Sequence, residues 1–141
     1  MNTQDKFIEL FEKIAKENNV EFEYYFKGNS GRYVIKDKKV LTSRPINAER
    51  LQVGLHEIGH HLFINVKPNY LQEYLCEMFS FEIMKNNGIK IKKKVKEKSK
   101  RYIAYKTQKA IHRGLKEVNK DVAKYLRKSY PATARGEVRF I

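Results

Sequence analysis

The stretch Leu51–Phe63, LQVGLHEIGHHLF, constrains this chain more than any other. It is apolar at Leu51, Val53, Leu55, Ile58, Leu62 and Phe63, yet it carries His56, Glu57, His60 and His61. An α-helix turns about 100° per residue, so residues four apart lie about 40° apart, one turn above the other. His56 and His60 therefore share a face, and their imidazoles can converge on one ion while Glu57 projects beside them. Ionisable groups in a helix this apolar need a compensating partner, because burying them unpaired is costly. A divalent metal supplies one, and H-E-x-x-H on a helix is the arrangement of zinc hydrolases, with the glutamate as general base. His61 lies about 100° from His60. It reads as a surface or supporting residue.

Two histidines leave zinc short of a hydrolytic site, which takes a third protein ligand and keeps a fourth position open. His112 is remote and lies in a basic segment. The carboxylates that follow, Glu73, Glu77 and Glu82, are better placed, since a helical hairpin with a short loop returns the second helix alongside the first. Glu73 is nearest that loop and is preferred to Glu77, one turn further on. Cys76 reads first as a small buried residue rather than a ligand. Tyr70 and Tyr74 are candidate oxyanion donors only by their nearness to Glu73.

A chain of 141 residues is one domain's worth of sequence. Its charge is uneven. Residues 1–89 hold 12 Lys/Arg and 12 Asp/Glu, whereas residues 90–141 hold 18 and 4, and so carry the whole net charge of +14. This divides the chain into a core, 1–89, and a basic helical extension, 90–141, packed on or continuous with it. Such asymmetry marks a surface for a polyanion or an acidic partner. Lys92, Lys93, Lys94, Lys96, Lys98, Lys100 and Arg101 are its densest part. No segment reads as a signal peptide or a bilayer span, and the single Cys76 precludes an internal disulfide. A cytoplasmic protein with no membrane partner is expected.

The fold class expected is α+β. Phe7, Leu10, Phe11, Ile14 and Ala15 make the apolar stripe of a first helix, capped by Asn2 or Thr3 and ended by Asn18-Asn19. Phe22, Tyr24 and Phe26 alternate with polar neighbours at strand period, and Arg32–Ile35 and Val40–Thr42 follow across turns. The expectation is a small antiparallel three-stranded sheet packed on the His-bearing helix, itself capped by Asn47, and on a Glu-bearing helix from about Tyr70 to Lys85. Ile89–Lys100 reads as a connector. From Arg101, Ala104, Ile111, Val118 and Tyr125 recur every seven residues, predicting a long basic C-terminal helix with Gly114 as a hinge or break and Ser129-Tyr130-Pro131 as its end. The last residues, Val138–Ile141, can dock as a strand.

Gly31-Arg32-Tyr33-Val34, the strand near Val40, LQVGLHEIGHHL and EYLCEMFSFEIM together resemble the ImmA/IrrE-type metallopeptidases, zinc proteins of bacteria and phages that act on helix-turn-helix repressors. The resemblance spans roughly Gly31 to Met84. It implies Zn²⁺ as cofactor, His56, His60 and Glu73 as ligands, Glu57 as catalytic base and a DNA-binding repressor as protein substrate. Glu73 stands six residues before Phe79-Ser80, the spacing of the family's ligand glutamate. The ending Ile83-Met84-Lys85 departs from the family's Leu-Leu-Met-Pro-like pattern, and nothing after Gly88 matches it, which leaves the substrate open. The other function class is a nucleic-acid-binding protein using the fold as a scaffold or a decayed enzyme. In that reading the basic segment neutralises phosphates while Tyr102, Tyr105, Tyr125 and Tyr130 offer stacking surfaces.

Overall fold

A computed structural model describes residues 2–126 and 138–141. In chain order the elements are α1 (Thr3–Glu17), β1 (Glu21–Phe26), β2 (Gly31–Val34), β3 (Lys39–Ser43), α2 (Ala48–Leu62), α3 (Asn69–Asn86), α4 (Lys93–His112), β4 (Glu117–Val118), α5 (Lys120–Ala123) and β5 (Arg139–Phe140). The class is α+β. Packing divides the chain into two compact units, one of Met1–Ile64 with Leu75–Ile91, the other of Asn65–Tyr74 with Lys92–Ile141. Among the described residues no helix is long and apolar enough to cross a membrane.

The first unit is built on local signals. The Asn2 side chain accepts from Asp5 N at 2.8 Å to start α1, and Asn19, at φ +54°, turns the chain out of it. Asn47 does the same for α2, accepting from Arg50 N at 2.9 Å. The stripe of α1 buries Phe11, Ile14 and Ala15 with Val40 of β3 and with Leu51, Leu55 and Ile58 of α2. Phe11 meets Phe22 edge-on, with ring centroids 5.2 Å apart. Gly54 makes this possible, because a Cβ there would sit 2.8 Å from the Phe11 ring.

The sheet is mixed rather than antiparallel. Its order is β1-β3-β2, with β1 parallel to β3 and β2 antiparallel to it. An alternating pattern sets which side chains share a face, not which strands are neighbours. Burial decides the order: Val40, Thr42 and Ser43 make β3 the most enclosed strand, so it takes the centre, while Glu21 and Glu23 of β1 and Arg32 of β2 face water. Lys39 and Glu23 pair across β1 and β3 at 3.0 Å, which holds the Lys39 ammonium above its ordinary range.

The second unit corrects the expectation of one long C-terminal helix. The lysine-dense connector is already helical from Lys93, and α4 stops at His112, where Gly114 adopts φ +106°. Val118 and Val122 are fully buried beside Ile103 and Ile111, as the seven-residue recurrence implies for a core. They reach it, however, from β4 and α5. A stripe of apolar residues measures what is covered, and a glycine at positive φ ends a helix without disturbing that stripe. β5 pairs parallel with β4, Val118 opposite Phe140, so the last residues do add a strand. Asn119 N donates to the Tyr70 hydroxyl at 2.9 Å, tying α5 to the start of α3 within this unit. The expected stop at Ser129-Tyr130-Pro131 lies outside the described residues.

Candidate metal centre

On α2, His56 Nε2 and His60 Nε2 stand 3.1 Å apart with their rings at 74°. Two nitrogens bound to one tetrahedral zinc at about 2.0–2.1 Å are separated by about 3.3 Å. The helix alone thus sets up half of a zinc cage.

A third donor comes from α3. Cys76 Sγ and one ring nitrogen from each of His56 and His60 all lie within 4.8 Å of one another. The approach depends on Gly59, since a Cβ there would lie 2.9 Å from Cys76 Cα and 3.1 Å from its sulfur. Any larger residue at 59 would push the helices apart. Imidazole with thiolate is a donor set that zinc accepts readily, so the residues present fit that ion.

Behind His56 lies a polar support that the sequence reading placed differently. Glu77 Oε2 sits 3.4 Å from His56 Nδ1, the ring atom facing away from His60. Gln52 donates to the same carboxylate and, at 2.9 Å, to Ser80 Oγ, while Ser80 Oγ donates to the Glu77 carbonyl at 2.7 Å. Glu77 and Ser80 are buried. A carboxylate on the far nitrogen of a ligand histidine fixes its tautomer and raises its basicity. A proton on Nδ1, facing Glu77, would leave His56 Nε2 free to offer its lone pair to a metal. Glu77 thus stands against the Nδ1 side of His56. Glu77→Ala is expected to weaken zinc binding by about 10–100-fold with the fold intact, measured by competition against a zinc chelator.

Glu57 lies against β2: a Cβ at Gly31 would meet Glu57 Cγ at 2.8 Å and Oε2 at 3.3 Å. The glycine at the head of this strand is the space the carboxylate uses. One turn along α2, His61 Nδ1 is 2.8 Å from the Tyr33 hydroxyl, with the rings edge-on, so His61 fastens α2 to β2. Burial raises the Tyr33 phenol above its usual range. Glu73 is buried in the first part of α3. Spacings of three, four and seven residues put it on one helical face with Cys76, Glu77 and Ser80.

The basic residues stand elsewhere. Lys92 precedes α4, and Lys93, Lys94, Lys96, Lys98, Lys100 and Arg101 are on it; all seven are exposed. What sequence reasoning missed is the Gln52–Glu77–Ser80 network and the nearness of Cys76. The four-residue step from Gln52 to His56 was the one visible hint. Comparison with family models, curated proteins and solved structures finds no match to this chain.

Proposed function

We propose that this chain is a zinc-dependent metallopeptidase that hydrolyses a peptide bond in a cytoplasmic protein, with a helix-turn-helix repressor as the substrate class the family resemblance suggests. The observation that carries this reading is the 3.1 Å convergence of His56 and His60 Nε2, with Glu57 next to His56 on the same helix. His56 and His60 hold the ion, and Glu73 is proposed as a carboxylate ligand from α3. Bound zinc supplies Lewis acidity toward the scissile carbonyl and lowers the pKa of water in its shell. Glu57 takes the proton of the attacking water and returns it to the departing amine. Gly31 leaves room for that side chain, and Glu77 keeps His56 in the binding tautomer. The direct test is elemental analysis of the purified chain: one zinc per chain supports the reading, and less than a tenth of an equivalent after growth with added zinc, on the order of trace occupancy, refutes it.

A second reading, a nucleic-acid-binding protein with a metallopeptidase-like scaffold, is favoured by α4 and its surroundings. Its first turn contains Lys93, Lys94 and Lys96 and no acidic residue, although the positive end of a helix disfavours cations. Beside it a groove of about 730 Å³ is lined by Lys100, Arg101 and Lys124 together with Tyr105 and Tyr125. Cations alternating with aromatic faces suit a single strand. On this reading a labelled single-stranded oligonucleotide loses about 300-fold in affinity between 50 and 200 mM salt, as roughly six phosphate contacts require. Absence of binding at the lower salt excludes it.

A further inference from the structure

Cys76 is wholly buried. A buried cysteine that acts as a small hydrophobe is surrounded by aliphatic and aromatic side chains. This one has its sulfur in a group with two imidazole nitrogens, all within 4.8 Å. The position is also built rather than incidental. Gly59, one residue before His60, is what lets the Cys76 backbone reach α2, with only 2.9 Å between its would-be Cβ and Cys76 Cα. A tetrahedral ion with zinc–sulfur and zinc–nitrogen bonds of about 2.3 and 2.0–2.1 Å holds its sulfur and nitrogen about 3.6 Å apart. Closing from 4.8 Å, the upper bound of the present spacing, takes at most about 1.2 Å, within the reach of small side-chain adjustments at Cys76 and the two histidines.

We propose that Cys76 is a direct thiolate ligand of the metal held by His56 and His60. The proposal rests on the metal reading above and changes what that centre is. A sulfur donor biases the site toward soft ions, zinc rather than magnesium or manganese. His56, His60 and Cys76 would supply three protein donors to that ion. Closed four-ligand sites are structural, and open ones are catalytic. Three such donors would leave one position open for water or for a further ligand.

Cobalt(II) in place of zinc tests this on the full chain, because the spectrum reports the ligand atoms without any activity assay. Tetrahedral cobalt gives visible ligand-field bands, and a bound thiolate adds an intense near-ultraviolet charge-transfer band. The expected wild-type spectrum has both. Cys76→Ala is expected to lose the near-ultraviolet band, keep the visible bands and bind cobalt at least about tenfold more weakly, the lower bound even for a supporting group. Visible bands in wild type without the sulfur band overturn the thiolate assignment while leaving a histidine-held metal in place. A wild-type chain that takes up no more cobalt than His60→Ala overturns both. Since the wild-type spectrum alone decides the matter, the proposal does not depend on the variant folding.

Discussion

Glu57→Gln is expected to retain one zinc per chain and to lower kcat for peptide hydrolysis by about 10²–10⁴-fold, the range that a positioned general base contributes. That is about 3–5 kcal/mol of transition-state stabilisation. The amide has the size of the carboxylate, so it fits the same space against Gly31 and Val53, and it cannot accept the proton of the attacking water. KM is expected to change little, because the side chain acts on water rather than on bound peptide. Single-turnover kinetics beside a zinc assay separate these effects. A Glu57→Gln chain that hydrolyses at the wild-type rate means that Glu57 is not the base. Gly31→Val, which pushes a branched side chain into the Glu57 Cγ, is expected to lower kcat in the same direction without touching a ligand.

The second large effect concerns the ion and stability together. His60→Ala removes one of the two nitrogens that stand 3.1 Å apart, and the remaining donors no longer enclose a site. A ligand that binds only the folded chain stabilises it by about 4 kcal/mol when present at a thousand times its Kd. For a protein of this length that corresponds to a rise in Tm of roughly 10–15 °C. Wild type is therefore expected to melt lower by that amount when a strong chelator is added, whereas His60→Ala melts at the same temperature with and without it. Equal chelator sensitivity in the two proteins, or none in either, contradicts a folded-state zinc site at His60. Calorimetry with free zinc buffered at known concentration measures this directly.

Much of the architecture was legible because it is written over short distances. Asn47 caps α2 through Arg50, three residues on; the α1 stripe from Phe7 to Ala15 packs as its spacing requires. His56 and His60 converge because one helical turn leaves them no alternative. What was not legible depends on partners far along the chain. That β3 would lie between β1 and β2 follows from the burial of Val40 and Thr42, a property of the assembled core and not of any local pattern. The end of α4 turned on Gly114, where the recurrence through Ile111 and Val118 continues across a break in the backbone. The placement of Glu77 behind His56, and of Cys76 beside both imidazoles, is set by how closely α2 and α3 pack. Only Gly59 signals that closeness, and a glycine has many uses.

Gly59 has a consequence for how the chain tolerates substitution. With no side chain at 59, α2 comes close to the backbone and the sulfur of Cys76, so a larger residue there would have to displace the Cys-bearing segment. Such a displacement would carry the Cys76 sulfur away from the two imidazoles. If the centre holds a metal as proposed, a substitution at 59 would be felt first as weaker binding of that ion.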